Sequence, residues 1–278
     1  MTDDSAAVPG GLEEEPDDAA KTAIDTTVPH SARIWNYWLG GKDNFAVDRA
    51  AGDEYIKVFP GIVDVARTSR AFLVRSITYL AGEQGIRQFL DVGTGLPTAQ
   101  NTHQVAQRVA PEARIVYVDK DPLVLAHARA LLASSPEGTT DYIDADLREP
   151  DKIIAEAAKT LDFGRPIALI LHGILGHIPD TGQARSIVRS LMDALPSGSY
   201  LDVADGIHEP DKDRATQGYR ETGAVPYVQR AREEIASFFD GLVLVEPGLV
   251  SLPLWRPEGE AAGSPAGMSA FGGVGRKP

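Results

Sequence analysis

The residues best suited to chemistry lie in FLDVGTGLPT at 89–98. An apolar run ends in Asp91, and Gly93 and Gly95 then allow the backbone to turn tightly and approach a ligand without side-chain obstruction. A dinucleotide-binding fingerprint would place a third glycine two or three residues on, but Pro97 and Thr98 stand there. A pyrophosphate also favours an unobstructed helix N-terminus, whereas this loop opens with an acid. Asp91 suits a ligand carrying an ammonium and a sulfonium, so S-adenosylmethionine is expected here ahead of NAD, with Asp91, Gly93, Thr94 and Gly95 in contact with it. A tight turn without a ligand is the plainer alternative.

Two further stations follow. Twenty-four residues past Gly95, the run IVYV ends in Asp119, whose carboxylate can accept both ribose hydroxyls of a nucleoside, with Lys120 beside it. Asp121, just before Pro122, reads as a helix cap instead. At DADLR, 144–148, a carboxylate such as Asp146 can accept an adenine amine, and Leu147 can cover the ring or meet it with its backbone N–H. In isolation this stretch could equally be a solvated loop. As the third of a series it gains specificity.

Other candidates are weaker. LGGKDNF at 39–45 joins two glycines, a charge pair, an amide and an aromatic between two helical stretches. It could be a lid, with Trp38, Lys42, Asp43, Asn44 and Phe45 facing a substrate, or merely a glycine helix stop followed by a cap. His103 follows the glycine loop closely enough to reach a cofactor, and His172, His177 and His208 come after apolar runs, although a lone histidine is more often structural. Their spacing matches no HExxH site, and no metal is expected. If the acceptor of a methyl group is a hydroxyl or a protonated amine, His172 is the first candidate base and Asp205 the second.

These residues need a frame. Apolar runs at 88–92, 115–118, 142–143, 167–171, 200–204 and 242–245 alternate with helical patterns at 101–109, 122–133, 153–161, 183–195 and 227–239. Such alternation predicts a mostly parallel sheet of the Rossmann-like α/β class, covered on both faces, with ligands at the carboxyl ends of its strands. A last run at 268–274 makes a seventh strand, antiparallel and paired near Leu242. Ahead of the sheet, Ile34, Trp35, Trp38 and Leu39 recur at helical spacing, and helical stretches follow at 47–59 and 64–81. The expected organisation is an acidic, disordered tail over 1–28, a helical cap over 29–82 and the ligand-binding domain over 83–278, with a mobile loop at 257–267.

Composition narrows the partners. The formal charge is −13, and the first twenty residues contribute seven acids without a Lys or Arg. No basic run is present to neutralise phosphates, so duplex nucleic acid is not an expected partner. The chain has no cysteine, which removes disulfides and thiolate chemistry. No stretch approaches the roughly 20 apolar residues that span a bilayer, and no signal peptide is evident. A cytoplasmic protein with a small-molecule partner is expected. Its oligomeric state is not legible.

The three stations together resemble the successive ligand motifs of class I S-adenosylmethionine-dependent methyltransferases. More closely, RIWNYWLGGKDNFAVDR at 33–49, RQFLDVGTGLPT at 87–98, IVYVDKDPLVLAHARALL at 115–132, DADLREP at 144–150, VEPGLV at 245–250 and the ending GGVGRKP resemble an actinobacterial methyltransferase family once catalogued as a domain of unknown function. The resemblance implies a class I methyltransferase fold with an N-terminal helical addition. It implies Asp91, Gly93 and Gly95 around the methionine part, Asp119 at the ribose, and Asp146 and Leu147 at the adenine. His172 would stand where relatives carry an acidic or polar residue facing substrate, and its departure from the acid-Pro-Pro-aromatic pattern argues against N6-adenine or glutamine methylation. The resemblance names no acceptor. An NAD(P)-dependent oxidoreductase and a non-catalytic S-adenosylmethionine sensor are the other readings, the former weakened by the missing glycine and by the lack of a Tyr-x-x-x-Lys pair.

Overall fold

The computed structural model describes residues 24–131, 134–257 and 268–278. The expected tail therefore lies outside the described residues up to 23, and the expected mobile loop lies outside them except for Pro257. Strands β1 (Gln88–Val92), β2 (Arg114–Asp119), β3 (Thr139–Asp144), β4 (Ala168–His172), β5 (Tyr200–Gly206), β6 (Val243–Leu244), β7 (Val250–Ser251) and β8 (Ala270–Arg276) form one sheet. Its order is β3-β2-β1-β4-β5-β8-β6, with β7 paired to β8 off that path. The first five strands run parallel, and β8 runs antiparallel to β5, β6 and β7. This is a Rossmann-like α/β fold, its sheet mostly parallel with antiparallel C-terminal strands. The sheet has eight strands rather than the expected seven because the two-residue β7 joins β8, which sits between β5 and β6 and pairs with both.

Every residue of β1 is buried, as a central parallel strand requires, and its side chains divide between two cores. Phe89 packs with Phe72, Ile77 and Leu80 of helix α3 (Ile62–Gly82). Leu90 and Val92 pack with Leu169, Leu171 and Leu191 on the other face. Burying each such side chain contributes about 1.5–3 kcal/mol, which fixes the strand ends that carry Asp91 and Asp119. Ahead of the sheet lie α1 (Ser31–Trp38) and α2 (Ala46–Val58). After β1, β2, β3 and β4 come α4 (Thr102–Val109), α5 (Pro122–Leu131), α6 (Pro150–Ala157) and α7 (Thr181–Asp193).

The region after β5 departs from expectation. Helix α8 (Pro210–Glu221) gives no apolar periodicity because the face it buries carries Lys212 and Thr216 beside Ala215. The expected helix at 227–239 shrinks to α9 (Arg232–Ala236) and a 3-10 turn, Ser237–Phe239. Ladder-like bonds take the residues before it: Val228 N–H to Gly176 O at 2.9 Å, and His208 N–H to Arg230 O at 3.2 Å. Tertiary pairing there outweighs helix propensity. Among the described residues no helix is long and apolar enough to cross a membrane.

Candidate functional site

A cavity of about 270 Å³ opens over the carboxyl ends of β1, β2, β4 and β5 and is roofed by α1, α2, α3 and α8. Its sheet side is built from backbone. Gly93 and Gly95 sit at φ +77° and +65°, in the left-handed region, and a Cβ on Gly93 would collide with Ile174. Gly95 N–H donates to Asp119 Oδ2 at 2.9 Å, while Lys120 N–H and Asp121 N–H donate to Oδ1 at 2.8 and 3.0 Å. Burial pushes the Asp119 carboxyl above its ordinary value, and these N–H groups pull against that. The glycine loop and Asp119 are thus one hydrogen-bonded unit.

Asp91, 6% exposed, accepts the Thr102 hydroxyl at 2.6 Å. Burial raises its carboxyl, opposed by Thr102, His172 and Arg70. Asp146 accepts Lys120 Nζ at 2.9 Å and Arg148 N–H at 2.9 Å. Burial alone would raise Asp146, but the Arg148 N–H and Lys120 outweigh it and hold the carboxyl below its usual range.

On the sheet's neighbouring strands lies a buried polar chain. His172 Nε2 is 2.9 Å from Asp202 Oδ1, and Asp202 is fully buried in the middle of β5. In the neutral form of the imidazole, Nε2–H donates to Asp202 and the lone pair lies on Nδ1, which has no partner. Phe72 lies against the ring at 5.2 Å. Asp205, 3% exposed, accepts Tyr227 OH and the Gly206 N–H and lies 3.6 Å from Arg230 Nη1. Burial raises its carboxyl against those partners.

The roof is aromatic. Trp38 packs on Trp35 at 5.6 Å and on Tyr55 at 5.2 Å, and all three line the cavity. Tyr55 OH meets Thr216 Oγ1 at 3.0 Å, which ties α2 to α8. A buried ion pair, Arg33 to Asp48 at 3.1 Å, locks α1 onto α2. The Arg33 guanidinium also donates to Asp25 O at 2.8 Å and Val28 O at 2.6 Å. The stretch 25–28, expected to lie outside the fold, is therefore docked on the roof.

Of the residues singled out in the sequence, Asp91, Gly93, Thr94, Gly95, Asp119, Lys120, Asp146, Leu147, His172, Asp205 and Trp38 all border this one cavity. Lys42, Asp43, Asn44 and Phe45 do not border it. Their turn wraps Asn36, whose Oδ1 accepts Asp43 N–H at 3.1 Å and Asn44 Nδ2–H at 3.0 Å. Gly41 is required there because a Cβ would collide with the Asn36 side chain. Phe45 packs with Leu96, Leu123 and Val124. Gly40, at φ +80°, follows the end of α1 as a glycine helix stop would, but the residue preceding α2 is Phe45, so neither Asp43 nor Asn44 caps that helix. His103 also turns away, buried with Nδ1 2.9 Å from Tyr117 OH. Asp121 caps α5 through Leu123 N–H at 2.8 Å and faces His30 at 3.0 Å.

Other lining residues went unread in the sequence: Tyr55, Arg70, Lys212, Thr216, Tyr227 and Gln229. Asp202, which orients His172, could have been found, since an acid inside the apolar run YLDVADG must be paired to be buried.

Residues 17–278 match the family model described as S-adenosyl methyltransferase. A solved DUF574 family protein from Streptomyces avermitilis is 43% identical with a TM-score of 0.88, the alignment covering 92% of this chain and 100% of that one. A presumed methyltransferase from Thermobifida fusca, also solved, is 41% identical with a TM-score of 0.83, over 91% and 97% of the two chains. A Mycolicibacterium paratuberculosis protein, named by inference as an S-adenosyl-L-methionine-dependent methyltransferase, is 28% identical over 221 residues, 68% of each chain. The chain belongs to the S-adenosyl methyltransferase family. It is a methyltransferase, and S-adenosylmethionine is its methyl donor.

Proposed function

We propose that the chain methylates a small molecule held between the glycine loop and the helical roof, with His172 accepting the proton that the acceptor gives up. The observation carrying this reading is that His172, fixed through Nε2 by buried Asp202, borders the cavity and that its Nδ1, itself buried, has no partner in the protein. The residues fit the donor. Gly93 and Gly95 keep side chains out of its path, and the acceptor-only carboxylate of Asp119 matches ribose hydroxyls. Asp91 supplies negative charge toward an ammonium or sulfonium. Asp146 and Leu147 take the adenine, and Lys120 holds Asp146 in place. Bound there, S-adenosylmethionine supplies an electrophilic methyl group on sulfur. The protein's own work is to align the acceptor, exclude water and receive a proton at Nδ1, after which Asp202 stabilises the imidazolium.

Residues 29–82 act in this reading as the cap and 83–278 as the donor-binding domain. Trp35, Trp38 and Tyr55 make an apolar wall of a size that suits a small acceptor, and the chain's acidity disfavours nucleic acid. Calorimetry with S-adenosylhomocysteine and NAD, followed by transfer of labelled methyl from S-adenosylmethionine into the small-molecule and macromolecular fractions of a whole-cell extract, tests the proposal. Label appearing only in macromolecules would overturn the small-molecule reading.

A further inference from the structure

Lys212 of α8 is unused by the roles above and is 3% exposed. Its Nζ donates to Ser269 O at 2.7 Å, and an ammonium has two further hydrogens to place. Among the described residues no carboxylate lies within ion-pair distance of it: Asp205 accepts Tyr227 OH and the Gly206 N–H on Oδ1, and its Oδ2, without a hydrogen bond, faces Arg230 Nη1 at 3.6 Å. The buried group of Arg230, Lys212 and Asp205 therefore holds one more cationic side chain than anionic. Beside Lys212 sits Gln229, 6% exposed, whose Nε2 donates to Thr216 Oγ1 at 3.2 Å while its Oε1 has no partner. Both side-chain ends converge over Gly206, where a Cβ would collide with each of them. All three residues border the cavity, two positions further along β5 than Ala204, the residue in register with His172.

We infer that the methyl acceptor is an organic acid, its anionic oxygen seated on Lys212 and its apolar body lying against Trp38 and Tyr55. The inference rests on the proposed small-molecule acceptor and narrows its class. A hydroxyl or N–H next to the anion serves Gln229 Oε1. Burial brings Lys212 down to about 8, despite Asp205, Glu209 and Asp213, which pull it up. Of the other groups facing it, Tyr227 lies well above 10 and Tyr55 is pushed up to about 12, so neither gains charge over the range that matters. His208, paired with Asp213 at 3.3 Å, is exposed. An anion in the cavity relieves the cost of burying the ammonium.

The test uses full-length protein saturated with S-adenosylhomocysteine, titrated calorimetrically with 2-naphthoate and with 2-acetylnaphthalene, which has a similar shape and no charge. At pH 7.5 naphthoate should bind at least about tenfold more tightly, a preference that Lys212→Met abolishes. In the unaltered protein the preference should fall as pH rises from 8 to 9.5, because Lys212 loses its proton while naphthoate keeps its charge. Equal binding of the two probes, a preference that survives in a folded Lys212→Met, or no binding of naphthoate at millimolar concentration overturns the inference. Failure to bind S-adenosylhomocysteine in the first place would count against the donor site instead. The pH arm needs no variant and stands if Lys212→Met misfolds.

Discussion

The two halves of the cavity are built by different means. On the sheet side, contacts come from short segments at successive strand ends, and much of the chemistry belongs to the backbone: two left-handed glycines and three N–H groups aimed at one carboxylate. On the roof side, the lining residues come from α1, α2, α3, α8 and the segment before α9, and they meet through side chains as far apart as Tyr55 and Thr216. A backbone cradle can be held constant while a side-chain roof is recast, so under the proposed function the donor site is written locally and the acceptor site globally. The largest test of that division is His172, at the seam. His172→Gln should lower methyl transfer by about 10²- to 10⁴-fold with S-adenosylhomocysteine affinity unchanged, measured by single-turnover label transfer and calorimetry. Asp202→Asn should act in the same direction by disturbing the imidazole tautomer. A loss of S-adenosylhomocysteine binding in His172→Gln would mean the seam belongs to the donor half.

Next in size is the donor half itself. Asp119→Ala removes one to two charge-assisted hydrogen bonds to the ribose, each about 1.5–3 kcal/mol, so S-adenosylhomocysteine should bind more than tenfold more weakly. Calorimetry on the folded variant decides this, and unchanged affinity would remove the ribose role. Asp119 also holds the glycine loop through Gly95 N–H. A fall in thermal stability should accompany the lost affinity.

That division also explains what could be read without a structure. Asp91, the glycines, Asp119 and Asp146 follow apolar strands directly, so period and position located them. The roof was legible only as a set of helices with Trp35 and Trp38. Helix α8 escaped because its buried face is polar, and the stretch 227–231 read as helix because its strand-like bonds to 176 and 206–208 are non-local. LGGKDNF carried the residue types of a lid, yet Asp43 N–H and the Asn44 amide are spent on Asn36 and Gly41, Asn44 also accepts from Arg49, and the Asp43 carboxylate faces His127 at 3.8 Å.

A smaller effect comes from His177, which borders the cavity from the sheet side and packs edge-on to Tyr227 at 5.1 Å. Burial lowers its pKa from 6.5 to about 4, while its Nδ1–H donates to Pro226 O at 3.0 Å. The folded protein thus resists a proton that the unfolded chain accepts near 6.5. The stabilisation is whole above pH 6.5 and is lost as pH falls toward 4. In thermal melts between pH 7 and 4.5, His177→Gln should lose less stability than the parent. Parallel losses in the two proteins would show that His177 is not a source of the acid sensitivity.

The smallest effect expected is from removing residues 1–23, and a second truncation gives it meaning. That stretch holds seven acids and one basic residue, Lys21, and its composition offers no apolar core, so the melting temperature should stay within a few degrees. Extending the deletion through 29 takes away Asp25 O and Val28 O, the two carbonyls that receive the Arg33 guanidinium. Arg33 is 3% exposed, and Asp48, its remaining partner, also accepts the backbone N–H groups of His30 and Phe45. Unsatisfied buried donors cost about 1–3 kcal/mol each, and Arg33 is what joins α1 to α2. The longer truncation should therefore lower the melting temperature by several degrees more than the shorter one and should weaken 2-naphthoate more than S-adenosylhomocysteine, because α1 supplies Trp35 and Trp38 to the roof. If both truncations melt alike, the roof is held by α2, α3 and α8 without help from the segment before it.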